Sequence, residues 1–483
     1  MDERAEALDR LHPSLVHHIV NTLGWPGLRP LQADAIDPVL DGADALLLAP
    51  TAGGKTEAAM FPVLSVLDGT APHGLKVLYV CPIKALLNNL EPRLSRYADW
   101  LGRRVELWHG DVGASARQRI LRDPPDVLLI TPESIESMLV STKVDQHALF
   151  AQLRIVIVDE VHAFAGDDRG WHLLALLERL TRLAGRPLQR IGLSATVGNP
   201  QELLNWLQGS NRAAGRTSRI IAPHLELATT PPVVQADPPA AKEADVELDY
   251  VGSVANAAKV IAALHQGEKR LVFCDSRQTV EELGEALRAR GVTTFLSHAS
   301  LSADERKRAE SAFAEGRDCV IVATSTLELG IDVGDLDRVV QINAPATVAS
   351  FLQRLGRSGR RASSRRNCLF LALDEGALIQ AAALLLLWDR GYVEPVTAPP
   401  DPRHIVAQQL IALCLQEHRI GENLFSEWWN GLAPFGSAAE PILRHLAAEG
   451  FLERDGGMLF IGPHAEKHFG RRHFMEMTTV FTA

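Results

Sequence analysis

The stretch Ala49-Pro50-Thr51-Ala52-Gly53-Gly54-Lys55-Thr56 decides how the rest of this 483-residue chain is read. It stands between a short apolar run, Ala45–Ala49, and a helical pattern that begins near Lys55. It matches the pattern G-x-x-x-x-G-K-[ST], with Ala49 in place of the first glycine. A loop of this kind turns its backbone N–H groups onto phosphate oxygens, and the start of the following helix adds its dipole. Gly53 and Gly54 permit that close approach. Lys55 is placed to reach the terminal phosphates and Thr56 to hold Mg²⁺, with Thr51 and Ala52 in the curl of the loop. A chance glycine turn is the competing reading. The strand before and the helix after argue against it.

Working outward, apolar runs alternate with helical patterns. Val77–Cys81, Val127–Thr131, Arg154–Asp159 and Arg190–Ser194 complete a first set of strands. Arg270–Cys274, Thr293–Ser297, Cys319–Thr324, Arg338–Ile342 and Asn367–Ala372 form a second. Runs this uniformly apolar suit parallel strands buried on both faces. The expected fold class is therefore α/β, with two tandem parallel-sheet domains at residues 1–222 and 248–394. The segment 223–247 between them holds Pro231, Pro232, Pro238 and Pro239 and reads as an extended connector.

A second Pro-rich break, Pro395 to Pro402, opens a different pattern over 395–466. Ile405–Glu417, Leu424–Trp429 and Ala438–Glu449 read as helices, and Asp455-Gly456-Gly457 as a hairpin turn between two short strands. Three helices and a hairpin outline a winged helix, and a generic helical bundle is the alternative. Trp428 and Trp429 point about 100° apart on a helix, so at least one is expected in the core. Residues 467–483 end in a strand-like run, Met475–Ala483, which leads us to expect a further domain downstream.

Lys and Arg number 49 against 59 Asp and Glu, for a formal charge of −10. That excludes a histone-like protein that coats nucleic acid over its whole surface, but not a local basic track. The composition, 46% hydrophobic and 22% charged, excludes a disordered chain. Cys81, Cys274, Cys319, Cys368 and Cys414 are odd in number and scattered, which excludes a disulfide frame and disfavours zinc. The start carries no signal-peptide pattern. The longest apolar stretch, Ala377–Trp388, is too short for a membrane span and reads as a buried helix. A cytoplasmic protein with no membrane partner is expected.

Val156-Ile157-Val158-Asp159-Glu160 ends an apolar run with two carboxylates. At the tip of a strand beside a phosphate loop, Asp159 is suited to support Mg²⁺ and Glu160 to orient and deprotonate a water. Gln32 precedes the loop, and its amide offers both a donor and an acceptor to an adenine edge.

With these residues in order, the chain resembles the superfamily 2 DExH-box helicases, most of all the core of the large helicase-related (Lhr) proteins. Leu28-Arg29-Pro30-Leu31-Gln32 resembles the Q motif and Ala49–Thr56 motif I. Cys81–Leu86 resembles motif Ia, Thr131–Ser134 motif Ib, Asp159-Glu160-Val161-His162 motif II and Ser194-Ala195-Thr196 motif III. Val272–Arg277, Ala323–Asp332 and Gln353–Arg360 resemble motifs IV, V and VI.

The resemblance implies two RecA-like motor domains with ATP and Mg²⁺ between them. It places Arg29, Gln32, Thr51, Ala52, Gly53, Gly54, Lys55, Thr56, Gly330 and Asp332 on the nucleotide. Lys55, Asp159, Glu160, Gln353, Arg357 and Arg360 would serve hydrolysis, the two arginines as fingers on the γ-phosphate. His162, Ser194 and Thr196 would couple hydrolysis to movement. Lys84, Thr131, Arg277, Ser300 and Thr324 would hold a strand by its phosphates. Of the six arginines between Gln353 and Arg366, Arg354, Arg361, Arg365 and Arg366 would either line that strand or solvate a loop. The implied partner is single-stranded or tailed duplex nucleic acid, with DNA favoured. The implied activity is 3′-to-5′ unwinding in DNA repair or genome maintenance. An ATP-dependent RNA remodeller and a nucleotide-dependent clamp in a repair or phage-defence complex stay open beside it.

Overall fold

The computed structural model describes residues 7–50, 53–70, 74–223, 244–298, 301, 309, 311–313, 315–328, 336–359 and 365–467. The first domain is a seven-stranded sheet. Its strands are β1 (Asp44–Leu48), β2 (Val77–Val80), β3 (Val105–Trp108), β4 (Val127–Ile130), β5 (Ile155–Val158), β6 (Gln189–Ser194) and β7 (Ser218–Ile221). They lie in the order β3-β4-β2-β5-β6-β1-β7, every pair parallel. Five helices matter to the site: α1 (Pro30–Leu40), α2 (Lys55–Leu67), α3 (Pro132–Leu139), α4 (Val161–Ala165) and α5 (Asp168–Ala184). In an all-parallel sheet the loops at the carboxyl ends of the strands form the ligand crevice. The phosphate loop, motif II and motif III follow β1, β5 and β6, which stand side by side in the sheet as β5-β6-β1.

The second sheet holds β8 (Ala244–Tyr250), β9 (Lys269–Phe273), β10 (Thr294–Ser297), β11 (Cys319–Ala323), β12 (Arg338–Ile342) and β13 (Arg366–Ala372). Its order is β10-β11-β9-β12-β13-β8, again all parallel. Two of its helices are α6 (Val348–Leu355) and α7 (Glu375–Asp389). The ten expected strands agree with the observed ones to within one residue at either end. The three unforeseen strands of these two sheets, β3, β7 and β8, all lie at sheet edges. An edge strand is not buried on both faces, so it lacks a continuous apolar run. β8 starts inside the span expected for the connector.

The last domain contains α8 (Arg403–Glu417), α9 (Ala439–Ala448) and a small antiparallel sheet, β14 (Ile420–Gly421), β15 (Leu452–Asp455) and β16 (Met458–Ile461), in the order β14-β16-β15. Gly456 and Gly457 turn the hairpin at φ 55° and 77°, as a two-residue type I′ loop requires. The helix expected at Leu424–Trp429 is instead a 3₁₀ turn over Phe425–Trp429. Both tryptophans are core residues. Trp429 stacks on Phe435 with centroids 4.3 Å apart, and the Arg182 guanidinium covers Trp428 at 5.0 Å. Neither ring is left exposed.

This domain does not stand alone. One apolar core runs from α5 (Leu173, Leu177) into α8 (Leu410, Leu413) and Trp429. Within it Glu136 of α3 accepts from Arg179 (2.7 Å), from His172 (2.9 Å) and from Gln409 of α8. Arg179 also donates to Gln416 (2.9 Å). Burial alone would push Glu136 up, but the Arg179 charge and the His172 bond win and hold it at about 2.

The apolar stretch Ala377–Trp388 departs from its expectation. It forms α7, but only Ala377, Ala381 and Leu384 are buried, while Ile379 and Leu386 are 69% and 50% exposed. Among the described residues no helix is long and apolar enough to cross a membrane, and no cluster of His, Cys, Asp or Glu could hold a metal ion. The five cysteines are free and buried. The connector's Pro-rich core and the strand-like run Met475–Ala483 lie outside the described residues.

Candidate nucleotide site

The phosphate loop is shaped by its glycines. Gly54 caps α2 at φ 81°, a left-handed conformation that a side chain would strain. A Cβ at Gly53 would stand 2.7 Å from Ala49 Cβ and 2.9 Å from the Pro50 carbonyl oxygen. The alanine at the first loop position therefore fits because Gly53 has no side chain. The Lys55 ammonium is buried and donates to the carbonyls of Ala49 (2.8 Å) and Pro50 (3.3 Å). It arches back over the loop. Thr51 and Ala52 lie outside the described residues.

Gln32 is also buried and lies under the loop. Its Oε1 accepts from the Arg29 N–H (3.0 Å) and its Nε2 faces the Gly54 carbonyl (3.5 Å). A Cβ at Gly54 would meet Gln32 at 2.6 Å and the Arg29 side chain at 3.5 Å. The expected adenine reader thus braces the loop from below.

Motif II follows β5. Glu160 sits at φ 48°, left-handed for a residue with a Cβ, and starts α4. Strain of that kind gathers at functional turns. Asp159 is 5% exposed and accepts from Tyr79 Oη (2.8 Å) and from the Glu160 N–H (2.9 Å). Burial, then the charge of Glu160, raises its pKa to about 6, against the pull of Tyr79 and Lys55. Tyr79 is held well above its ordinary value by burial and by Asp159, so it stays protonated and donates. Nothing in the chain's spacing marks Tyr79, which reads as one more apolar residue of β2.

A chain of hydrogen bonds crosses from this site to the second domain. His162 Nδ1 lies 2.9 Å from Ser194 Oγ, and Ser194 donates to the Ala195 carbonyl (2.8 Å). The serine proton is thereby committed, so His162 carries its proton on Nδ1. Gln353 of α6 then donates its amide N–H to His162 Nε2 (2.8 Å). Burial, then the Lys55 charge, lowers His162 to about 4, which keeps the ring neutral and Nε2 free to accept. Glu160 Oε2 is 3.5 Å from the same nitrogen. With a neutral ring that contact is no ion pair. Thr196 is half-buried in the loop beyond.

The remaining residues divide. Arg354 is 6% exposed, pairs with Glu328, donates to Gln341 and covers Phe273 at 4.9 Å. It belongs to the domain's core, not to a strand track or a solvated loop. Arg357 is 1% exposed and donates to the Glu328 carbonyl, so to act on a γ-phosphate its guanidinium has to leave motif V. Arg360, Gly330, Asp332 and Ser300 lie outside the described residues. Lys84 is exposed and pairs with Asp111 (2.9 Å), Arg277 is exposed at the start of its helix, and Thr324 is half-exposed after β11. Thr131 is buried and caps α3, accepting from the Ser134 N–H (3.4 Å). Ile83 and Ala85 of motif Ia pack on the second domain's core, which brings the two domains together beside the site.

A family model described as DEAD/DEAH box helicase matches residues 29–203, and one described as helicase conserved C-terminal domain matches 254–362. The chain is 32% identical over 428 residues to a protein of Escherichia coli named Lhr helicase/uracil glycosylase, covering 76% of this chain and 28% of that one. It is 30% identical over 406 residues to the ATP-dependent helicase Lhr-Core of Methanocaldococcus jannaschii, covering 80% and 47%. A solved structure of the Mycobacterium smegmatis helicase Lhr, bound to ssDNA and AMP-PNP, aligns with a TM-score of 0.79 at 31% identity and covers 95% of this chain and 62% of that one. The chain thus spans less than half the length of the two curated relatives. The two family models span the phosphate loop, motif II, motif III and motif VI, and these Lhr proteins are 30–32% identical to the chain over the aligned residues. The chain belongs to the DEAD/DEAH box helicases and is similar to their Lhr members.

Proposed function

We propose that this chain is an ATP-driven nucleic-acid motor that moves 3′ to 5′ along one strand and opens tailed DNA or RNA:DNA duplexes. The observation that carries the reading is the Gln353–His162–Ser194 chain, which ties the second domain to the phosphate-loop domain beside Asp159 and Glu160. A site split in this way closes or opens with what fills it, and that is the switch a stepping motor needs. The glycine cradle and the buried Lys55 fit a triphosphate, and Thr56 with Asp159 fit Mg²⁺. The ion would supply charge neutralisation at the phosphates. Lys55 would hold the terminal phosphates, Glu160 would orient and deprotonate the water, and Gln353 would keep it in place. Arg357 and Arg360 would approach from the second domain. The similar Lhr protein was solved with ssDNA and AMP-PNP, which favours DNA over RNA here. Lys84, Thr131, Arg277, Ser300 and Thr324 are the proposed strand contacts, the 395–466 domain is read as a winged helix, and repair of cytoplasmic DNA is the proposed setting.

ATP turnover by the wild-type chain is expected to rise on adding single-stranded DNA, and Lys55→Ala to abolish it. Displacement from 3′-tailed but not 5′-tailed duplexes gives the direction. Turnover indifferent to nucleic acid ends this reading. Stimulation by RNA alone favours a remodeller, and turnover without displacement favours a clamp.

A further inference from the structure

The segment from Tyr392 to Pro402 passes from the second domain to the last without a helix or strand of its own. Its backbone is tied to the first domain just after motif III. The Gly198 N–H donates to the Glu394 carbonyl (3.1 Å). The Asn199 amide donates to the Val396 carbonyl (2.9 Å) and accepts from the Val396 N–H (2.7 Å). The Trp171 indole donates to the Pro399 carbonyl (2.8 Å). A Cβ at Gly198 would stand 2.3 Å from the Val393 carbonyl oxygen, so the strap lies directly on bare backbone.

The Glu394 side chain turns to the second domain. Its two oxygens accept the N–H groups of Val348 (2.8 Å) and Ala349 (3.0 Å). These are the first two of α6, and Thr347 takes the third, from Ser350 (3.1 Å). A carboxylate on two otherwise orphaned N–H groups is held by charge-assisted bonds and by the helix dipole. One residue therefore grips the loop after motif III through its carbonyl and the motif VI helix through its side chain.

From this geometry we infer that Glu394 is a positioning residue for nucleotide hydrolysis, acting through α6. The inference rests on the motor reading above. With the start of α6 pinned to the strap, Gln353 at the other end meets His162 in a fixed register. When the nucleotide's hold is lost, the second domain turns about the pinned end instead of parting from the first.

The full chain carrying Glu394→Ala, Glu394→Gln or Val348→Pro is compared with wild type for ATP turnover against ATP concentration, with and without single-stranded DNA. Proline is well suited to the first helical position and removes one donor without touching Glu394. In Glu394→Ala, kcat with DNA falls by about 10- to 100-fold, the scale of misplaced catalytic groups. KM for ATP stays within about threefold, because the phosphate loop is untouched. Glu394→Gln, which keeps one acceptor, recovers part of kcat, and Val348→Pro loses part of it. Wild-type kcat in Glu394→Ala overturns the inference. Should that variant fail to fold, wild-type kcat in both Glu394→Gln and Val348→Pro overturns it equally. A wild-type chain whose turnover ignores DNA sinks the motor reading instead, and the inference with it.

Discussion

His162 is neutral because it is buried beside Lys55, and its pKa of about 4 lies below the ordinary histidine value. In the unfolded chain that ring titrates near 6.5. Between those values the unfolded state binds a proton that the folded state refuses. Stability from this group is therefore fully present above about pH 6.5 and is lost as pH falls through that window. The loss reaches roughly 3 kcal/mol at most, from 1.36 kcal/mol per pKa unit. Thermal melting from pH 7 to pH 4.5 should show it, and His162→Asn should flatten the slope. Protonation of Nε2 also removes the acceptor for Gln353, so strand-stimulated turnover should decline at the acid end of the same range. The phosphate loop and the Asp159-Glu160 pair were legible in the chain because their chemistry demands fixed spacing. Tyr79 was not, because a tyrosine that donates to a carboxylate from mid-strand leaves no pattern. Arg354 misled for the opposite reason: it stands in an arginine-rich run, yet Glu328 in a distant loop draws it into the core.

At the scale of elements, central strands announced themselves, while of the four edge strands of the two large sheets only β10 did. β8, Ala244-Asp245-Val246-Glu247-Leu248-Asp249-Tyr250, alternates apolar and acidic residues beside a proline-rich segment, which hid its place in the second sheet. α7 was read too simply, since an apolar stretch records composition and not which sides find neighbours. The strap from Tyr392 was visible only as a proline-rich break, because its bonds to Gly198 and Asn199 join positions nearly two hundred apart. Gly198→Ala should force that strap off the loop after motif III. We expect a loss of about 1–3 kcal/mol of stability, the usual cost of overpacking. It should also lower DNA-stimulated turnover. Urea unfolding and an ATPase assay on the same sample check both.

Across the whole molecule, the first and last domains share one core, and the second domain is attached through the strap, the Gln353–His162 bond and the motif Ia contacts. Two α/β units were foreseen from strand spacing, but the fusion was not, because neither α5 nor α8 names its partner in its own sequence. Arg179→Ala should leave Glu136 buried and short of its main counter-charge, at a cost of about 3–5 kcal/mol. Calorimetry should show the first and last domains losing stability together. The shared core also bears on how the chain is made. On a ribosome, the face of α5 that Leu410, Leu413 and Trp429 cover is synthesised roughly 250 residues before the end of its cover, tens of seconds at about 5–20 residues per second. For that interval a finished parallel sheet stands with its apolar flank wet while a second domain folds beside it. A nascent chain halted near Arg390 is therefore expected to bind chaperones and to precipitate once released, and one extended past Ala465 to stay in solution.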